Sequence, residues 1–234
     1  MNMATAGMDI ELARHNMIEQ QIRTWEVLDQ SVLDLLPVVK RENFVPAAFR
    51  RLAFVDMEVP LKIDAGDGTV YDSGEAMFTP KVEARFLQEL AVRPHEKVLE
   101  IGTGSGYMAA LAAHKAQHVL SVEIDQRLHR FGSGNLVRAG VRNVTVELGD
   151  GSRGWSAKAP YDVIIVSGSL PALPPDLLAQ LKIGGRLSAI VGSGAVMTAQ
   201  IVTRVSDGGY ETLNIFETRV KALRNAWQPS TFRF

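Results

Sequence analysis

The chain contains no cysteine, which excludes disulfide scaffolds, thiolate metal sites and cysteine nucleophiles together. Its chemistry must use oxygen or nitrogen groups, or a borrowed cofactor. A charge surplus is missing as well: 25 Lys and Arg face 26 Asp and Glu, for a formal net charge of −1. Nucleic-acid binding normally needs a basic excess on one face, so no nucleic-acid partner is expected. No stretch approaches the roughly 18 apolar residues of a membrane span, and Asp9, Glu11 and Arg14 stand where a secretory signal would carry its apolar core. We therefore expect a cytoplasmic, soluble protein with no membrane partner, as a monomer or homodimer. There is no internal repeat and no low-complexity tract. What remains is 234 residues, 46% of them hydrophobic, enough for one sizeable core.

The pattern divides into three parts of one structural domain: a helical arm over 1–58, an inserted loop and substrate-side segment over 59–81, and an α/β unit over 82–234. In the arm, IELARHNMIEQQI has helical spacing, with Ile10, Met17, Ile18 and Ile22 on one side. Asp29 reads as an N-cap for QSVLDLLPVV, and Pro46 opens AAFRRLAF. Between Pro60 and Pro80 the composition turns to glycine and acid, which suggests a loop or irregular hairpin. Its DAGDG string lacks the spacing and terminal glutamate of an EF-hand, so a turn is preferred to a calcium site.

From Val82 onward helices and strands alternate, VEARFLQELAV, KVLEIG, SGYMAALAAHKA, HVLSVEI and so on. Such a run, with uniformly apolar strands, implies a mostly parallel, doubly wound Rossmann-like sheet covered by helices. QIVTRVSDGGYETLNIFET adds a terminal antiparallel hairpin turning at Asp207-Gly208-Gly209.

The most informative string is VLEIGTGSGYMAAL. Strand VLEI runs into Gly102, Gly104 and Gly106 and then directly into a helix, a layout that lets a ligand approach the helix N-terminus with no Cβ in the way. A dinucleotide site uses G-x-G-x-x-G around a pyrophosphate. Here the spacing is G-x-G-x-G, preceded by Glu100 and filled by Thr103 and Ser105, which suits a nucleoside joined to an amino acid, as in S-adenosyl-L-methionine. Glu123, with Ile124 beside it, ends the next strand about twenty residues on, where an acid can accept ribose hydroxyls. Asp150-Gly151 ends the strand after that, placing a carboxylate at the adenine edge. Alone, Glu123 could be a surface ion pair and Asp150 a turn residue. In this order they describe one ligand.

These strings, with GDGSRGW, YDVIIVSGSLPALPPDLLAQLKIGGRL and the upstream MIEQQI and FVPAAFRRLAF, resemble the protein-L-isoaspartate O-methyltransferases over residues 10–195. The resemblance implies a class I methyltransferase fold that binds S-adenosyl-L-methionine and yields S-adenosyl-L-homocysteine. It also implies an acceptor: the isoaspartyl carboxylate of an aged protein or peptide. Such a carboxylate is already ionised at neutral pH, so catalysis needs positioning more than a general base.

Three departures stand out. Phe78 occupies the family's serine position in T-I-S-x-P, and the nearest hydroxyl is Thr79, which either enters the site by a local shift or caps the helix opening at Pro80. KIDAGDGTVYDSG is an insertion where a peptide would enter, and Tyr71 is expected to pack it down. Arg219, Lys221 and Arg224 form a basic cluster in a C-terminal string that matches the family only loosely; it reads as a solvated helix face or as a surface for an anionic substrate. Together these keep open a small carboxylate as acceptor, or cofactor binding without catalysis. His114 and His118 have a metal-like spacing but no third ligand, so no metal site is expected. Trp155 is expected to cover an apolar edge near the adenine and Trp25 to pack within the arm. Ser167 and Ser169 line the strand rim with no acid–histidine partners for a hydrolase.

Overall fold

The computed structural model describes residues 9–229. The arm begins with α1, Ile10–Met17, capped by Asp9, whose carboxylate accepts from the Leu12 N–H at 3.1 Å. The helix continues through a π-turn over Ile18–Ile22 and a 3-10 turn over Arg23–Trp25. Met17, Ile18 and Ile22 are buried, but Ile10 is exposed, because α1 lies on the body only from its second turn. Asp29 caps α2 as expected, accepting from the Ser31 N–H at 2.8 Å, but α2 is a single turn, Gln30–Leu33, rather than a helix through Val39. Ala47–Phe54 after Pro46 is 3-10 helix.

The segment after the arm is an antiparallel hairpin of β1, Val59–Asp64, and β2, Val70–Met77. Alternation in VPLKID turns Val59, Leu61 and Ile63 inward. The DAGDG tip is turn chemistry: Asp64 and Asp67 accept the backbone N–H groups of Gly66 and Thr69 at 2.8 and 2.9 Å.

The main body consists of α3 (Pro80–Leu90), β3 (Lys97–Ile101), α4 (Tyr107–Ala113), β4 (His118–Glu123), α5 (Gln126–Arg138), β5 (Val144–Leu148), β6 (Tyr161–Leu170), the single turn α6 (Pro175–Leu178), β7 (Leu181–Val191), β8 (Met197–Ser206) and β9 (Gly209–Thr218). The sheet runs β5-β4-β3-β6-β7-β8-β9, parallel through β7 and antiparallel for the last two strands. Chain order reverses between β3 and β6, so the sheet has its switch point there, and open α/β sheets bind ligands at the strand carboxyl ends beside such a point.

One apolar cluster joins Met17, Ile22 and Phe44 of the arm, Leu61 and Ile63 of the hairpin, Phe86 and Leu90 of α3, and Val98, Val163 and Ile201 of the sheet. Trp25 packs edge-on against Phe216 of β9 at 4.9 Å, so it reaches the sheet rather than staying within the arm. His114 ends α4 and His118 begins β4, where its ring meets Thr145 Oγ1 at 3.0 Å. No group of metal-ligating side chains is present among the described residues. Nor is any described helix long and apolar enough to cross a membrane.

The C-terminal string departs from expectation. Residues 219–226 form no helix; residues 219–223 cross the carboxyl ends of the strands, with Ala222 bridging Ser169 of β6 in parallel, and a turn follows at Arg224–Asn225, closed by the Ala226 N–H on the Leu223 carbonyl at 3.2 Å. A Cβ on Gly168 would meet Leu223 Cδ2 at 2.6 Å, so glycine in β6 is what lets this segment lie flat on the sheet.

Candidate functional site

β3 ends at the switch point and the chain turns through Gly102, Gly104 and Gly106 at φ of 94°, 50° and 83° before α4. These left-handed values favour glycine. Behind the loop stands α5. A Cβ on Gly132 would come within 2.9 Å of the Gly104 carbonyl oxygen, and Asn135 Nδ2 donates to the Ser105 carbonyl at 2.8 Å. Gly132 and Asn135 are functional residues that sequence reasoning missed. Their signal was present in FGSGN, where two glycines weaken a helix that otherwise continues for 13 residues.

Beneath the loop lies a buried polar chain. Thr103 Oγ1 meets Ser121 Oγ at 2.5 Å, Ser121 Oγ donates to Glu100 at 2.6 Å, and Ser167 Oγ donates to the other Glu100 oxygen at 3.2 Å. Glu100 is 0% exposed and no cation pairs with it among the described residues. Burial lifts its pKa to about 8, against the pull of the two serine hydroxyls.

Glu123 closes β4. Its two oxygens accept the N–H groups of Gly104 at 2.8 Å and Asp125 at 2.9 Å, which ties the acid directly to the glycine loop. Burial raises its pKa, opposed by those two bonds. Each carboxylate oxygen keeps a second acceptor site. Asp150 stands across the cleft. Burial would raise its pKa, but the Ser152 N–H and the Asn225 amide, both at 2.9 Å, hold it below the usual carboxylate range. Gly151 is required where it is, since a Cβ would meet Ile101 Cγ2 at 2.9 Å.

These groups line one cleft of about 970 Å³, open to solvent, together with Thr103, Ser105, Ile124 on the rim, Ser167, Phe78 and Met77, and the segment Val220–Arg224. The structure thus brings together Glu100, Gly102, Thr103, Gly104, Ser105, Gly106, Glu123, Ile124, Asp150 and Gly151, of which all but Gly106 face the cleft directly; Gly106 opens α4.

Thr79 is placed differently. Its carbonyl accepts from Val82 and Glu83 at the start of α3, but the expected side-chain cap is not made. Its Oγ1 is buried without a hydrogen-bond partner, and Phe78, not Thr79, lines the cleft. Phe78 packs edge-on against Phe86 at 6.3 Å, while its carbonyl accepts from the buried Arg41 at 2.6 Å. Trp155 packs over Gly149 and is not among the residues that line the cleft. Ser169 turns its hydroxyl to the Val220 carbonyl and takes no part in the rim. Tyr71 does pack the hairpin down: its hydroxyl donates to Asp125 at 2.5 Å and Arg127 lies over its ring.

The family model described as protein-L-isoaspartate(D-aspartate) O-methyltransferase matches residues 12–222. The chain belongs to this family. Among curated relatives, the protein-L-isoaspartate O-methyltransferase of Protochlamydia amoebophila is 41% identical over 81% of this chain and 84% of its own length. That of Methanoculleus marisnigri is 40% identical over 76% and 77%. Two solved structures share the fold. One is a protein-L-isoaspartate O-methyltransferase with a TM-score of 0.72 and 24% identity over 90% of this chain, which spans just under two thirds (65%) of that protein. The other is a putative Plasmodium falciparum protein-L-isoaspartate O-methyltransferase in complex with S-adenosyl-L-homocysteine, with a TM-score of 0.74 and 18% identity over 90% of this chain and 97% of that one. The Rossmann-like class I methyltransferase fold expected from the sequence is therefore present.

Proposed function

We propose that the chain is an S-adenosyl-L-methionine-dependent carboxyl O-methyltransferase of the isoaspartyl repair type. The observation that carries this reading is the convergence of the glycine loop, Glu123 and Asp150 on one cleft at the sheet's switch point. The residues present fit the cofactor: three glycines at positive φ form a cradle without Cβ atoms, and two acids face it from successive strands. When bound, the cofactor supplies a methyl group on a sulfonium, a good leaving group. Gly102–Gly106 would hold it by backbone approach, Glu123 would accept from ribose hydroxyls with its free lone pairs, and Asp150 would accept from the adenine amine. Ile101 and Val122 pack at Gly151 beside Asp150, and Met77 and Phe78 line the acceptor side, where apolar side chains exclude water and strengthen the electrostatics inside. No side chain need take a proton, because the acceptor carboxylate is already charged. In this reading residues 82–234 bind the cofactor, 59–81 form the acceptor side, and 1–58 brace both.

The acceptor is an isoaspartyl-bearing protein or peptide. A small free carboxylate is the second reading, favoured by the Phe78 ring, 8% exposed, where the family carries a hydroxyl. Calorimetric titration with S-adenosyl-L-homocysteine should show binding, and labelled cofactor should methylate an isoaspartyl peptide but not its aspartyl isomer. Binding without transfer to the peptide would remove the repair reading; absence of binding would remove the methyltransferase reading altogether.

A further inference from the structure

The cleft as a whole has an electrostatic problem. Six carboxyl groups line the cavity, on Glu58, Glu75, Glu83, Glu100, Glu123 and Asp150, against two cations, Lys221 and Arg224. An incoming carboxylate must be neutralised somewhere, and the apolar Phe78 cannot do it. Both cations lie on the segment that crosses the strand ends, whose Leu223 packs on Gly102 and Gly168. They therefore stand above the glycine loop itself.

They already hold a carboxylate. Lys221 Nζ and Arg224 Nε converge on the same oxygen, Glu75 Oε1, at 3.0 and 2.9 Å. Arg224 is fixed in this pose by its other nitrogens, which donate to Asp125 at 3.1 Å and to the Ser73 carbonyl at 3.0 Å. Lys221 also donates to the Gly74 carbonyl at 2.8 Å, leaving one ammonium hydrogen unassigned. Two charge-assisted donors aimed at one point make a carboxylate receptor. The resident carboxylate comes from the hairpin, the part of the chain that lines the acceptor side.

We propose that Lys221, with Arg224 Nε, receives the carboxylate of the methyl acceptor, and that Glu75 occupies this place until the acceptor arrives. The inference rests on reading the cleft as a carboxyl methyltransferase site. It assigns the role of the missing family hydroxyl to a cationic pair on the opposite wall. Lys221 is then a specificity residue, while Arg224 positions the receptor through Asp125 and Ser73. The shared ligand chemistry is a carboxylate, borne either by an isoaspartyl peptide or by a small free acid.

The test is an equilibrium titration of the protein, with and without S-adenosyl-L-homocysteine, using an isoaspartyl peptide, its methyl ester, and glutarate as the small acid. Lys221 is 58% exposed, so its replacement leaves the fold intact. Lys221→Met should weaken the acid about tenfold and leave the ester unchanged, as expected for loss of one charge-assisted bond; Lys221→Arg should restore most of the loss. Glu75→Gln should tighten the acid, because the competing carboxylate is gone. If the Lys221–Glu75 pair is only a latch for the hairpin, both variants shift acid binding in the same direction, and the proposal fails. It fails equally if neither variant changes the preference of acid over ester, or if the wild type binds no carboxylate. Failure of the wider reading shows separately, as absence of S-adenosyl-L-homocysteine binding to the wild type. Preference for glutarate over the peptide keeps the receptor and replaces the repair acceptor by a small one.

Discussion

Glu100→Gln is the substitution that interrogates the buried polar chain most directly. Glu100 is fully enclosed and its pKa is raised from 4.5 to about 8 by burial. A carboxyl whose folded pKa lies above its unfolded value contributes stability that is fully present below the unfolded pKa and is lost as pH rises through the folded one. The window here runs from 4.5 to about 8. Each pH unit inside it costs the folded state about 1.4 kcal/mol, so the ceiling is on the order of 4–5 kcal/mol. Water in the cleft and reorientation of the Ser121 and Ser167 hydroxyls reduce that to about 2–3 kcal/mol. Glutamine has the same shape and no titration, so the variant should gain this amount relative to the wild type between about pH 4.5 and about pH 8.5. Urea unfolding at a series of pH values measures the difference directly, and the slopes from groups away from Glu100 largely cancel in it. Parallel stability curves for the two proteins would show that Glu100 ionises freely in the fold and would refute the reasoning.

Gly132→Ala should lower cofactor-analogue affinity about tenfold, because its Cβ would meet Thr103 Cγ2 at 2.8 Å and the Gly104 carbonyl at 2.9 Å and so displace the loop. Gly134→Ala on the same helix meets only the flexible end of Arg138, so calorimetry should instead show stabilisation by about 0.5–1 kcal/mol. Phe78→Ala should cost about 3 kcal/mol by loss of packing on Phe86, read as a lowered unfolding midpoint. Glu123→Ala releases the Gly104 and Asp125 N–H groups as well as the ribose acceptor, and should abolish measurable S-adenosyl-L-homocysteine binding by calorimetry.

The cofactor half of the site was legible in the sequence because it depends on short-range requirements: glycines where the backbone must turn, and acids at strand ends of fixed spacing. Doubly wound topology followed from apolar strands alternating with helices. The acceptor half was not legible. Alternation in VPLKID is brief and its partner strand is rich in glycine and acid, so the 59–77 hairpin was open between loop and strand. TRVKALRNAW has a helix-like composition, but its conformation is decided by tertiary contact, with Leu223 seated on Gly168 and Ala222 bridging Ser169. The partnership of Lys221 and Arg224 with Glu75 spans about 150 positions, beyond what local pattern reports. Gly132 was visible as a poor helix residue, yet nothing local said that its partner was the carbonyl of Gly104.

The segment that roofs the cleft is held to β6 by few bonds: the Ser169 N–H to the Lys221 carbonyl at 3.0 Å, the Leu223 N–H to the Ser169 carbonyl at 2.9 Å, and the Ser169 hydroxyl to the Val220 carbonyl at 3.1 Å. The seven-stranded sheet keeps its full ladder whether or not these three are intact. The segment's remaining ties are side-chain bonds, from Lys221 and Arg224 to Glu75, Asp125 and the Gly74 and Ser73 carbonyls and from Asn225 to Asp150, so amide hydrogens of residues 221–223 should exchange before those of β3 and β6. The strap couples the two halves of the cleft, because the same short segment that carries Lys221 and Arg224 to the hairpin also carries Asn225 to Asp150.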